Sequence, residues 1–289
     1  MQTRLAPAYR QTAEGQQAEA ILRKCVHCGF CTATCPTYQV LGDELDSPRG
    51  RIWLIKEVLE GQQPTRSTQR HLDRCLTCRS CETTCPSGVQ YGRLLDTGRH
   101  LVAQKVKRPP LQRAVRWALR HGLTSRPGLS LFGVVLKLGQ RMRGVLPKTI
   151  RRKIPALQSG KQRGGKSSQR WPQRQQRRKV LLLAGCVQPH MAPNINAATA
   201  RVLDAAGIQT VVAQNAACCG ALKFHLDDVP GAKRHMRANM QAWWPYVQSG
   251  DVEALVMNAS GCGVMVKDYA HIFKDEADWA EKARRISAL

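Results

Sequence analysis

The chain has 289 residues, 12 cysteines, 43 % hydrophobic residues and a formal net charge of +25 from 45 Lys/Arg against 20 Asp/Glu. That length carries two domains with cores of their own. No run reaches the ~18–20 apolar residues of a membrane span, which excludes a membrane-crossing helix.

The N-terminal stretch "MQTRLAPAYRQTAEGQQAEA" is polar and lacks the apolar segment of a secretory signal. Twelve thiols without an export signal fit a reducing cytoplasm, and they argue against a disulfide framework.

Residues 25–36 read "CVHCGFCTATCP" and residues 75–86 read "CLTCRSCETTCP". Both are C-x2-C-x2-C-x3-C-P, the bacterial ferredoxin run that ligates [4Fe–4S] clusters. A cubane offers one open position on each iron. Three closely spaced thiolates wrap three corners, and the proline-adjacent fourth crosses to the other cluster. The expected ligand sets are therefore Cys25, Cys28, Cys31 and Cys85 for one cluster, and Cys75, Cys78, Cys81 and Cys35 for the other. Pro36 and Pro86 fix φ where the chain turns away. Structural zinc would take two separated CxxC pairs and leave four cysteines without a role.

Between the runs, Ser47 and Pro48 have the form of a helix cap and first turn. "RIWLIKEVLEG" then sets Ile52, Ile55, Val58 and Leu59 on one face and stops at Gly61. This helix is expected to cover the clusters. Arg49 and Arg51 are expected to be surface charges ahead of donors to a cluster or a partner. His27, inside the first run, is not needed as a ligand. The whole of residues 1–100 reads as a helical, loop-rich ferredoxin-like domain.

Residues 101–179 carry 22 Lys/Arg and no acid, while residues 1–100 balance to +3 and residues 180–289 to zero. This segment is a basic linker. Its first part, 101–150, reads as short amphipathic helices broken at Pro109, Pro110, Pro127 and Pro147. Its second part, 151–179, reads as a flexible tether. The segment suits a solvated connection, docking on an acidic partner, or attachment to an anionic membrane surface at the cytoplasmic face. Nucleic acid is not expected, because no binding-fold motif accompanies the charge. "GKQRGGKS", residues 160–167, matches a phosphate-loop pattern but has neither the strand before it nor the helix after it that such a loop requires.

From residue 180 the pattern becomes α/β. "KVLLLAG" reads as a strand ending at Cys186, and "NINAATARVLDAAG" as a helix closed by Gly207. "IQTVVA" is a second strand running into Cys218 and Cys219. A long helix covers "AKRHMRANMQAWWPYVQSG", and "VEALVMN" is a third strand ahead of Cys262. Alternation of this kind implies right-handed crossovers and a parallel sheet. All four cysteines would then lie past the carboxyl ends of strands, where such sheets build their sites. Gly220, Gly261 and Gly263 would let backbone approach something bulky. The fold class is thus α+β multidomain: a two-cluster helical domain, the basic linker, and an α/β domain.

"AACCGA", with one cysteine after the first strand and another after the third, resembles the cysteine-rich CCG domain of heterodisulfide reductases. Set behind "KCVHCGFCTATCPTYQVLGDELDSPRGRIWLIKEVLEG" and "HLDRCLTCRSCETTCPSGVQYGRLLDTGR", together with "AWWP" and "ASGCG", it is similar to the iron–sulfur subunit family of glycolate oxidase. The resemblance covers nearly the whole chain except the tether. It implies an electron-transfer subunit of an oxidoreductase complex with no catalytic residue of its own. FAD-containing partner subunits would oxidise glycolate to glyoxylate, and electrons would leave toward a membrane quinone. It implies a cytoplasmic protein, peripheral at the inner face of the membrane.

The resemblance also implies two [4Fe–4S] clusters and a third site at Cys186, Cys218, Cys219 and Cys262. Family members carry two CCG modules. This chain carries one and stops in an apparent helix, as a fragment or truncated product would. The CxxC that closes the heterodisulfide reductase pattern is missing, since Ala259 and Met265 flank Cys262. Two other readings are a chain that itself reduces a disulfide at the CCG site and the iron–sulfur subunit of anaerobic glycerol-3-phosphate dehydrogenase. His190, Lys223 and His225 are expected to be surface or core groups ahead of proton donors.

Overall fold

The computed structural model describes residues 1–145, 147–152, 171–172 and 174–289. The phosphate-loop-like stretch 160–167 and most of the tether lie outside these residues. The chain divides into two compact units, Met1–Arg113 and Ala114–Leu289.

The first unit is helical. Its α-helices are α1 (Pro7–Arg10), α2 (Ala13–Lys24), α3 (Pro36–Leu41), α4 (Pro48–Leu59), α5 (Arg66–Asp73), α6 (Ser80–Thr84) and α7 (Tyr91–Lys105). The start of α4 follows from its sequence: Ser47 Oγ accepts from the Gly50 N–H at 2.9 Å, and Pro48 occupies the first turn, where its missing N–H costs nothing. Ile52, Ile55, Val58 and Leu59 all face the core, against Leu22, Leu72, Leu94 and Leu95. Gly98 on α7 permits this packing, since a Cβ there would lie 2.5 Å from Ile55 Cγ1. The apolar pattern of α7 continues past residue 100. Leu101, Val102 and Val106 are buried in the same core, so the packed body outruns the expected boundary.

In the linker, α8 (Pro110–Gly122), α9 (Arg126–Arg141) and α10 (Lys148–Arg151) follow. Prolines begin these helices and do not interrupt them. Ser125 joins the first two, donating to the His121 carbonyl at 2.7 Å and accepting from the Gly128 N–H at 3.2 Å.

The second unit contains a three-stranded parallel sheet. Its elements are β1 (Arg178–Leu182), α11 (Gln188–Met191), α12 (Pro193–Ala205), β2 (Ile208–Val211), α13 (Ala221–His225), α14 (Val229–Ser249), β3 (Leu255–Val256), α15 (Ser260–Lys267), α16 (Tyr269–Ile272) and α17 (Ala277–Ala288). The order is β2-β1-β3, in register Leu181↔Val211 and Leu181↔Leu255. The third strand is shorter than expected because its partner β1 ends at Leu182, whose pairing with Val256 closes the ladder. Leu181, Met236, Met240, Trp243, Tyr269 and Phe273 build the core, all fully buried.

Candidate functional site

The two cysteine runs share a backbone. In the first, His27 has φ 58° and Gly29 φ 87°. At the equivalent positions of the second, Thr77 has φ 53° and Arg79 φ 58°. Each loop thus reverses twice through the left-handed region, which turns its thiols inward. Non-glycine residues held there cost of order 1–3 kcal/mol each and persist where the surroundings over-determine them. The threonines before the two last cysteines also meet, Thr84 Oγ1 lying 3.4 Å from Thr34 Oγ1.

Two cavities lie between the loops. One is lined by Cys25, Cys28, Cys31 and Cys85, with Cys81 also on its wall. The other is lined by Cys35, Cys75, Cys78 and Cys81. Each gathers three cysteines of one run and the last of the other. Apolar Val26, Phe30, Ile52 and Val89 complete the first wall, and Pro48 at the start of α4 lies on both. Among the described residues no three cysteine sulfurs fall within 4.8 Å of one another.

Burial pushes the Cys25 thiol up, takes Cys31 to about 11 and carries Cys81 higher still, with neighbouring cysteines adding to each. Thiols desolvated together in this way ionise when a cationic centre compensates them. The four-sulfur donor sets therefore fit iron–sulfur clusters.

Arg51 corrects the sequence reading. It is fully buried rather than on the surface. Its guanidinium donates to the Asp46 carboxylate at 3.3 Å, the His71 carbonyl at 2.8 Å and Thr37 Oγ1 at 3.1 Å. Thr37 Oγ1 in turn lies 3.2 Å from Cys35 Sγ. Burial alone would raise the Asp46 carboxyl, but bonds from His71 and Arg74 outweigh it and hold it below its usual range. Arg49 pairs with Glu44 at 2.7 Å and lines the first cavity. His27 packs edge-on to Trp53. Tyr91, which the sequence reading did not single out, lines both cavities and directs its hydroxyl to Cys75 Sγ at 3.6 Å. A tyrosine five residues past a cysteine-proline pair carries no distinctive spacing, so nothing local marks it.

In the second unit Cys186, Cys218, Cys219 and Cys262 perturb one another's thiols in that order. Donating to Cys218 raises Cys186 far above its usual value. Accepting from Cys186 lowers Cys218, but its bond to Cys219 and burial outweigh this and push it up to about 11. Cys219 reaches about 12 by the same balance, and Cys262, the terminal acceptor, is lowered. The paired cysteines are held by Asn239 and Tyr269, neither of which the sequence reading found. Asn239 donates to the Cys218 carbonyl at 2.8 Å and accepts from the Ala217 N–H at 2.9 Å; Tyr269 donates to the Cys219 carbonyl at 2.8 Å.

Close approach of backbone occurs at Gly220, which has φ 89° and where a Cβ would lie 3.0 Å from Met236 Cε. At Gly261 and Gly263 a Cβ would meet no atom within 4 Å, so these two adjoin open space. Met265 is buried in the core, in the same cluster as Cys219. Lys223 is buried and pairs with Asp228 at 3.0 Å, His225 packs edge-on to Phe224, and His190 is exposed.

Residues 21–89 match the family described as a 4Fe-4S dicluster domain, and residues 180–267 match the cysteine-rich domain family. The chain is 53 % identical, over all 289 residues, to the glycolate oxidase iron-sulfur subunit of Escherichia coli K12, of which it covers 68 %. It is 34 % identical over 92 % of its length to the probable glycolate oxidase iron-sulfur subunit of Bacillus subtilis 168, of which it covers 63 %. A shorter match, 29 % identical over 38 % of the chain and 43 % of the relative, is to lactate utilization protein A of Bacillus licheniformis. The chain thus spans about two thirds of the length of these two glycolate oxidase relatives. No solved structure gives a significant match. Two cysteine-walled cavities, a four-thiol site on a parallel sheet and this identity across the whole chain lead to one conclusion: the chain belongs to the glycolate oxidase iron–sulfur subunit family.

Proposed function

We propose that this chain is the electron-transfer subunit of a glycolate-oxidising oxidoreductase complex. FAD-containing partner subunits would take electrons from glycolate, giving glyoxylate, and this chain would pass them toward a membrane quinone from the cytoplasmic side. The observation that carries the reading is the pair of adjoining cavities, one walled by five cysteines and the other by four, with Cys81 on both walls. In this reading residues 1–100 hold two [4Fe–4S] clusters, 101–179 connect, and 180–289 carry the CCG site.

Cys25, Cys28, Cys31 and Cys85 would hold the first cluster, and Cys75, Cys78, Cys81 and Cys35 the second. Such clusters supply one-electron steps at potentials set by charge, sulfur hydrogen bonds and exposure. The chain's own groups set those terms. Val26, Phe30 and Ile52 line the first site with apolar surface. Arg51 places a buried positive charge on the wall of the second. Cys28 and Cys78 are exposed, giving each site an edge through which a partner's donor or acceptor can come near. Cys186, Cys218, Cys219 and Cys262 offer a four-thiolate set that fits a third cluster. Substrate chemistry stays in the flavin subunits.

Iron and acid-labile sulfide per chain, measured on anaerobically purified protein with an EPR spectrum after reduction, test this. About eight irons and two interacting clusters are expected, or about twelve with the CCG site filled. Zinc without labile sulfide would overturn the reading.

A further inference from the structure

The linker helices carry apolar faces that nothing in their own unit covers. On α9, Leu129 is buried, and Phe132 and Leu136 are half-buried beside it. Its opposite side presents Leu131 (65 % exposed), Val134 (63 %), Val135 (57 %), Leu138 (56 %) and Met142 (48 %). The spacing i, i+3, i+4, i+7, i+11 makes these one continuous stripe. Lys137 and Arg141, both exposed, flank it.

On α8, Leu111, Ala114, Val115 and Ala118 share one face and are exposed, while Arg113, Arg116 and Arg120 share the other. Trp117, 64 % exposed, sits between the two faces and stacks on His121. A helix whose two long sides are both apolar, with only one of them packed, is incomplete in water.

We infer that the outer stripe of α9 is the surface by which this chain lies on an anionic lipid bilayer. Charge decides the occupant. Residues 101–179 hold 22 Lys/Arg and no acid, so a second copy would bring the same positive field against this face. Anionic headgroups complement it. Aliphatic stripes bordered by Lys and Arg, with a tryptophan at the margin, are the composition of helices that rest in the interface plane. Among the described residues no helix is long and apolar enough to cross the bilayer, and in this reading α9 lies along it. The inference deepens the quinone-directed reading, and rests on it only for the purpose the contact serves.

Sedimentation of the intact, cluster-loaded chain with vesicles tests it, using phosphatidylglycerol–phosphatidylcholine against pure phosphatidylcholine. The chain should sediment with the anionic vesicles and stay in solution with the neutral ones. The pair Val134→Asp and Leu138→Asp, at exposed positions, should weaken binding about tenfold or more, because each places an anion in the interface. Iron content and circular dichroism of the variant should match the unchanged chain. Those two readouts report on the clusters and the fold separately, so failure here and failure of the electron-transfer reading are distinguishable. Binding that the two aspartates leave intact would mean that lysines and arginines elsewhere in the segment do the work, and would overturn the assignment of this face. No sedimentation of the unchanged chain with anionic vesicles would overturn it too, and would point to a protein covering the stripe.

Discussion

Tyr91 is fully buried, and its hydroxyl is directed at Cys75 Sγ. Burial holds its pKa well above the ordinary phenol value, so it stays a donor throughout the working range. A hydrogen bond to a ligand sulfur favours the reduced, more negative cluster. Tyr91→Phe removes that donor and little else. The cluster held by Cys75 should then move to a more negative midpoint in an EPR redox titration, with iron content unchanged. Asp46 makes a different case. Its carboxylate, wholly buried, compensates Arg51 and also accepts from His71 at 3.0 Å and Arg74 at 2.7 Å. Asp46→Asn keeps the shape but leaves the Arg51 charge buried without its counter-ion, a change that costs about 3–5 kcal/mol. Chemical denaturation followed by circular dichroism should show that loss. Arg51 itself was half legible. It stands four residues before Ile55 and seven before Val58, on the buried side of α4, yet its charge argued for the surface. The acid five residues earlier that permits its burial is visible in the sequence, but its pairing is tertiary.

At the scale of elements, α14 joins the cysteine-rich site to the rest of its unit. Asn239 on this helix holds the Cys218 carbonyl and the Ala217 N–H, and its Nδ2 lies 3.4 Å from the Tyr269 hydroxyl. Asn239→Ala would strand those buried groups at a cost of about 1–3 kcal/mol. Cys218 and Cys219 should then react faster with a thiol reagent, while the sheet persists by circular dichroism. The same helix donates Lys233 and Arg237 to Glu276, the residue that precedes α17, at 2.7 and 2.6 Å. Burial would raise the Glu276 carboxyl, but these two bonds hold it below its usual range. A depressed carboxyl stabilises the fold above its unfolded pKa of about 4.3, and that contribution fades as pH falls through the lower folded value. Glu276→Gln should therefore flatten the acid limb of the stability–pH curve and leave its neutral part nearly parallel to the unchanged chain. The elements themselves were readable where periodicity was strong. The capped helix α4 and the strand β1 followed from local pattern. The extent of β3 did not, because the end of β1 fixes it.

Each unit of the whole molecule closes its own hydrophobic core, one built from residues between Leu5 and Val106 and the other from residues between Leu181 and Ile286. The first core is also walled by thiols: Cys25 and Cys81 are among its buried residues, and Cys31, Cys75 and Cys85 pack against it. A cluster bound by these thiols would therefore contribute folding free energy to the first unit, since ligands that converge in the folded chain are scattered in the unfolded one. The second core is closed by Trp243, Tyr269 and Phe273, with Cys219 among its residues and Cys218 buried as well. Removing iron by anaerobic chelation should then act unequally. In calorimetry the loaded chain should give two transitions, and iron removal should lower or abolish the one belonging to residues 1–113. If the CCG site carries no cluster, the transition of the sheet unit should stay in place. If it carries one, both should fall, the second by less, because parallel strands and the Met236–Met240–Trp243 packing remain without metal. A single transition unmoved by chelation would mean that the thiols of the first unit do not hold a structural cluster. Spacing in the sequence proposes which cysteines would share a cluster, but it says nothing of which unit would depend on one. That follows from whether the sulfurs stand in the core or beside it, a property of packing and not of spacing.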